Sequence, residues 1–349
     1  MDNDKDVFKV LSIDGGGMRG YYNALYLDGL KKLAENRFQN INFINQFGML
    51  AGTSTGAIIA CGLANSMTPK EISNFYQQYG QNTFPKKMPT KIWKLLLHNR
   101  KAINKRGSIA LKKGLIEAFG IKTLKQVYNE TKTALVITTV NATTHKGYIF
   151  KTPHNDDTNH RDDNITLVGA CLASSAAPVY LSLASIDNNL FVDGGLYANN
   201  PVLVALSEAL RITKDTKQKI EIYCLGMSPI TGSTIDCKQP NWGFIKWKFG
   251  SRVVNLSIDS QEGVFDYLAK EFCEHMDREI SIVRFPQADI APEHAKSLDL
   301  DDASEKSLNL MQTLANNAID KTNQLISDDS SQDGQLIKSF LTNNSVENK

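Results

Sequence analysis

Short apolar runs bounded by glycine or polar turns alternate along this chain with longer amphipathic stretches. That alternation predicts an α/β fold in which helices cover a mainly parallel sheet. Phe8 to Ile13 reads as the first strand and Tyr21 to Asn36 as the helix that follows it. Phe47 to Ala51 reads as a buried strand feeding a helix over Thr55 to Ala64. Ala134 to Val140 and Gly147 to Lys151 are strands about a short polar connection, and Ile165 to Ser175 is helical. Asp187-Asn188-Asn189 makes a hairpin turn into the short strand Leu190 to Val192. Asn200 to Ile212 is a helix with a proline near its first turn, and Ile220 to Leu225 and Ile280 to Phe285 are the remaining strands. A last long helix starts near Asp301 or Asp302, whose carboxylates suit its N-terminal dipole, and runs to Ile326.

The 349 residues leave room for two or three domains or for one large α/β domain. There is no internal repeat and no obvious linker, so the expected division is a single domain over 1–326. Its motif-bearing part is about 7–210 and its C-terminal elaboration 213–326, followed by a polar, mobile tail at 327–349. Hydrophobic residues at 42% and charged residues at 22% exclude general disorder and a polytopic membrane protein. A net charge of +2 argues against DNA or RNA as a partner. The five cysteines are odd in number and form no Cys-x-x-Cys pair, which points to a reducing, cytoplasmic setting. Met1 to Asp6 is polar with no apolar run behind it, and no stretch is long and apolar enough to span a bilayer, so membrane contact is expected to be peripheral.

Three glycine-centred sites carry the chemistry. Asp14-Gly15-Gly16-Gly17-Met18-Arg19-Gly20 follows a strand and opens a helix. Gly15, Gly17 and Gly20 satisfy the dinucleotide-binding spacing, but the acidic residue that should hold a ribose about 20 positions on is not at the end of the next strand, Glu35 lying on the helix instead. The alternative is an anion nest, in which backbone N–H groups converge on developing negative charge. Gly52-Thr53-Ser54-Thr55-Gly56 sits between an apolar strand and a small-residue helix, the context of a nucleophile elbow that would hold Ser54 Oγ at the sheet edge and offer the Thr55 N–H to an oxyanion. An ordinary helix cap is the plain alternative.

A serine nucleophile needs a base. Of the six histidines only His275 and His294 follow the later aspartate in the order of a Ser-Asp-His triad, and neither stands at a strand end beside a glycine turn. Asp193-Gly194-Gly195 does stand there, directly after Leu190 to Val192, although Asp-Gly is also a common turn pair. A carboxylate of ordinary pKa about 3.9 cannot accumulate a serine alkoxide, so proton transfer would have to accompany attack.

Together the three sites resemble the patatin-like phospholipases, whose motifs are D-G-G-G-x-R-G, G-x-S-x-G and D-G-G or D-G-A. Ser174 to Pro178 and Asn199-Asn200-Pro201 are also similar to that family, and the resemblance covers about Val7 to Leu210. It implies a three-layer α/β/α lipid acyl hydrolase with a Ser54/Asp193 dyad and an acyl-enzyme, with no metal or cofactor. It also implies an oxyanion hole at Gly15, Gly16 and Gly17 with Arg19 as charge support. Compact members are similar to bacterial antiphage effectors that a cyclic nucleotide activates, which adds such an activator to the expected partners beside membrane glycerophospholipid. A Ser-His-Asp esterase using His275 or His294, and a nucleotide-binding module using the glycine loop, stand as competing readings.

One stretch is locally cationic. Between Glu71 and Glu117 there is no acidic residue, while Lys86, Lys87, Lys91, Lys94, Arg100, Lys101, Lys105, Arg106, Lys112 and Lys113 are interleaved with apolar residues such as Ile92, Trp93 and Leu95. That suits a basic amphipathic segment on anionic lipid, with Lys86, Lys87, Lys91 and Lys94 as candidate membrane or anion contacts; a solvated helical face with its apolar side in the core is the alternative.

Overall fold

A computed structural model describes residues 7–85, 100–155, 159–227, 251–291 and 297–342, with single positions 243, 247, 293 and 294. Lys86, Lys87, Lys91 and Lys94 lie outside the described residues. Among the described residues the apolar runs become one sheet of eight strands: β1 (Val7–Ile13), β2 (Met49–Thr53), β3 (Ala134–Asn141), β4 (Lys146–Lys151), β5 (Ala184–Ile186), β6 (Asn189–Asp193), β7 (Lys219–Leu225) and β8 (Ile280–Arg284). Their order is β5-β6-β3-β2-β1-β7-β8, with β4 also paired to β3. Strands β3, β2, β1, β7 and β8 run parallel, whereas β4, β5 and β6 join antiparallel at one end.

Side chains alternate across a strand, so a strand buried on both sides feeds two cores. Leu11 and Ile13 of β1 enter one core with helices Gly20–Phe38, Thr55–Ala64, Pro69–Thr83 and Glu305–Leu325, while Val10 enters the other with helices Val202–Ile212 and Gln261–Glu274. That is the three-layer arrangement expected. Two helices not anticipated, Pro69–Thr83 and Leu124–Thr131, start on capping boxes at Thr68/Glu71 and Thr123/Gln126, where each pair satisfies two otherwise unpaired N–H groups.

The C-terminus departs from expectation. Within the stretch 327–349 expected to be a mobile tail, residues Gln332–Thr342 form a helix that buries Ile337, Phe340 and Leu341, and 343–349 lie outside the described residues. The Phe340 ring sits 5.1 Å from those of Phe43 and Phe47 and 4.4 Å from that of Tyr223, and Asn40 Nδ2 donates to the Leu341 carbonyl at 3.1 Å. Three apolar side chains in a polar stretch suffice because they fill an aromatic cluster under the sheet.

Strand β3 brings two distant chain segments together. On one edge it pairs with β4 from Val136 to Asn141; on the other it pairs first with β2, Thr138 opposite Thr53, and then with β6, Thr139 opposite Asp193. Parallel β2 and antiparallel β6 therefore approach each other end to end along one edge, and the residue after Thr53 meets the last residue of β6.

Candidate active site

That meeting point holds Ser54 and Asp193. Ser54 has φ 54° and ψ −121°, a strained conformation for a residue with a side chain, at the turn from β2 into helix Thr55–Ala64. The flanking glycines make the turn fit: a Cβ on Gly52 would lie 2.5 Å from the Gly56 carbonyl, and one on Gly56 would lie 2.3 Å from the Ile13 carbonyl. The Ser54 N–H donates to Ser174 Oγ at 2.7 Å, which in turn donates to the Thr138 carbonyl at 2.7 Å, so the elbow is anchored to β3.

Ser54 Oγ donates to Asp193 Oδ2 at 2.6 Å, and the Gly195 N–H donates to Asp193 Oδ1 at 2.7 Å. Asp193 is 4% exposed, and burial raises its carboxyl to about 6, against the lowering effect of those two hydrogen bonds. A carboxylate with that affinity for a proton remains ionised near neutrality and is a better base than an ordinary aspartate.

Gly16, Gly17, Ser54, Thr55 and Asp193 line one crevice whose other walls, Phe75, Tyr76, Phe84, Leu111, Leu181 and Leu300 among them, are mainly apolar. Among the described residues the N–H groups of Gly16, Gly17 and Thr55 donate no hydrogen bond. The other glycine expected at the oxyanion hole behaves differently: the Gly15 N–H is turned to the Asn199 carbonyl at 3.0 Å. Arg19 does not line the crevice either. Its Nε donates to the Gly16 carbonyl at 3.4 Å and its guanidinium lies 3.3 Å from Asp259, so it braces the loop from behind.

Residues outside the three motifs hold the loop in place. Asn199 Nδ2 donates to the Gly15 carbonyl at 3.1 Å, the Asn199 N–H donates to Gln261 Oε1 at 2.7 Å, and Gln261 Nε2 donates to the Gly195 carbonyl at 2.9 Å. Asp14 is buried against Arg284, which donates to its Oδ2 at 2.8 Å and grips Asp266 with its other nitrogens. Burial raises the Asp14 carboxyl to about 8 although Arg284 pulls the other way, Glu262 and Asp266 adding negative charge nearby. The signal for Arg284 was a lone arginine in the apolar strand Ile280 to Phe285; Ser174 and Asn199 lie in strings already resembling the family, without a role attached.

The competing residues are elsewhere. His275 caps the end of helix Gln261–Glu274 and His294 lies in a turn; both are exposed, and neither lines the crevice. Glu35 lies on the first helix and is paired with Lys31. Among the described residues no three His, Cys, Asp or Glu side chains converge as a metal site would require.

Residues 11–206 match the family model described as patatin-like phospholipase. The chain belongs to that family. Patatin-like phospholipases are lipid hydrolases, and the relatives found include a cGAMP-activated phospholipase of Vibrio cholerae, 30% identical over 327 residues, covering 87% of this chain and 88% of that one. A cGAMP-activated phospholipase of Escherichia coli is 29% identical over 322 residues, covering 87% of this chain and 86% of its own length. The human calcium-independent phospholipase A2-gamma is 32% identical over 266 residues, covering 73% of this chain but 32% of that larger protein. The two bacterial matches extend well past the motif-bearing part.

Proposed function

We propose that this patatin-like protein cleaves fatty-acyl esters of membrane glycerophospholipids by a Ser54/Asp193 dyad, in a phospholipase A-type reaction, and that a cyclic dinucleotide of the cGAMP kind switches it on. The observation that carries the chemistry is the 2.6 Å hydrogen bond from Ser54 Oγ to Asp193 Oδ2 on the floor of an apolar crevice. Ser54 Oγ attacks the ester carbonyl as its proton passes to Asp193. The Gly16 and Gly17 N–H groups, joined by that of Thr55, receive the oxyanion, a contribution worth about 3 to 4 kcal/mol per donor in comparable sites. Collapse of the tetrahedral intermediate expels the lysophospholipid alcohol with the Asp193 proton, leaving an acyl-enzyme. Water then attacks that ester, giving its proton to Asp193, and as the bond to Ser54 Oγ breaks Asp193 returns that proton to Oγ and the fatty acid leaves.

Activation rests on the names of the two bacterial relatives, both cGAMP-activated phospholipases aligned along most of this chain. A membrane-damaging hydrolase held in check until a signal appears fits a role in antiphage defence. The setting we infer is the cytoplasm, with action at the membrane surface; among the described residues no helix is long and apolar enough to cross a membrane. The test is incubation of the purified protein with mixed bacterial lipids, with and without cGAMP, and identification of products by mass spectrometry. Free fatty acid and lysophospholipid that depend on the nucleotide support the proposal; intact lipids under both conditions reject it.

A further inference from the structure

Two exposed apolar stripes stand out on the surface, and their charges separate them. The first follows helix Arg100–Phe119. Its inner side buries Leu111, Leu115 and Phe119, while Lys105, Arg106, Ile109, Lys112, Lys113 and Ile116 recur on its outer side at helical spacing. Ile109 is 58% exposed and Ile116 43%; Ile121, just beyond the helix, is 82% exposed. Among the described residues Lys105, Arg106 and Lys112 have no carboxylate within ion-pair distance, and Lys113 reaches only Glu117, at 3.8 Å. The second stripe, with Val253, Leu256, Val264 and Tyr267, runs along residues 251–277, where six acidic residues accompany two basic ones.

We propose that the outer face of helix Arg100–Phe119, extended by Ile121 and Leu183, docks this protein onto an anionic bilayer. The inference rests on the reading that its substrate is a membrane lipid. Solvent-facing isoleucines between cations that, Lys113 aside, have no carboxylate partner among the described residues match a surface that is apolar within and negative at its rim, whereas the acidic stripe would be repelled by it. The docking helix is also a wall of the catalytic crevice. Leu111 and Leu181 line both that crevice and a neighbouring groove of about 650 Å³ that is edged by Lys105, Ile109, Lys112 and Leu183. The helix therefore touches the bilayer with one side and the reacting lipid's crevice with the other. Close packing at Gly107 on the Thr83 carbonyl and at Gly114 on the Tyr79 ring seats it firmly.

The test uses the full chain carrying Ser54→Ala, so that binding is scored without turnover, and vesicles of phosphatidylcholine alone or with one-quarter phosphatidylglycerol. The protein should sediment with the anionic vesicles, and binding should fall as salt screens the contact. Lys105→Gln with Lys112→Gln should weaken that partition about 30-fold, at the strength typical of basic residues near an anionic surface. Val264→Ser with Tyr267→Ser should leave it unchanged. As a direct readout, in a protein whose own Trp93, Trp242 and Trp247 are replaced by phenylalanine, Ile109→Trp fluorescence should be quenched by brominated acyl chains and Tyr267→Trp fluorescence should not. Equal partition of the lysine variant, loss of binding in the acidic-stripe variant instead, or an unquenched Ile109→Trp would each overturn the proposal. Hydrolysis of a soluble short-chain ester by the same variants with Ser54 intact keeps this test apart from the catalytic reading, because docking residues should leave that rate alone.

Discussion

Replacing Asp193 with asparagine should do two separable things. The side chain can keep its oxygen on the Gly195 N–H, but it then presents an amide to Ser54 Oγ, so the hydroxyl proton loses its acceptor and turnover should drop by at least about a thousandfold. The second effect is on stability. The carboxyl rises from an ordinary 3.8 to about 6 in the folded protein, and two pKa units correspond to about 3 kcal/mol. Because the folded state holds this proton more tightly than the unfolded chain, the contribution is fully present below about pH 4, is lost as pH rises through about 6, and is absent above that. Asparagine carries no such proton. Urea unfolding across a pH series should therefore show the variant gaining about 3 kcal/mol relative to the natural protein between pH 4 and pH 8. Over the same window kcat/KM of the natural enzyme on a soluble ester should fall about tenfold per unit below about pH 6. Parallel stability profiles for the two proteins would rule out a raised Asp193 carboxyl, and an active asparagine variant would rule out Asp193 as the base.

Ser174→Ala should cost about 2 to 4 kcal/mol and lower kcat more than it raises KM, since it strands two buried groups, the Ser54 N–H and the Thr138 carbonyl; denaturation and steady-state kinetics read both effects. Arg284→Met should destabilise by about 3 to 5 kcal/mol by leaving the Asp266 carboxylate without its cation, and adding Asp266→Asn should recover part of the loss in the same unfolding assay; Asp14, raised to about 8 by burial, carries little charge near neutrality to strand. His275→Ala and His294→Ala, separately, should keep ester hydrolysis within about twofold of the natural rate, as expected for exposed side chains away from the site; a thousandfold loss in either would restore the triad reading.

Much of the sheet was legible because strands buried on both faces appear as short, mainly apolar runs, and β1, β2, β3, β7 and β8 all lie within two residues of where those runs place them. The glycine motifs were legible for a related reason: the backbone crowding at Gly52 and Gly56 leaves no room for any side chain. Spacing alone could not reveal that Ser54 and Asp193 meet, 139 positions apart, because their contact depends on an antiparallel strand entering end-on beside a parallel one along β3. The supporting shell was hidden for the same reason. Arg284, Gln261 and Ser174 act through pairings that only the folded topology creates. Helix Gln332–Thr342 was missed because its few apolar residues signal burial only once the Phe43, Phe47 and Tyr223 cluster is assembled.

Covalent labelling would show whether Ser54 is the nucleophile. An alkyl fluorophosphonate traps an activated serine by mimicking the tetrahedral acyl intermediate. A single adduct is expected on the peptide carrying Ser54, absent from the Ser54→Ala protein and slow to form in the Asp193→Asn protein. An adduct on another residue, or phospholipid hydrolysis that persists in Ser54→Ala, would contradict that assignment.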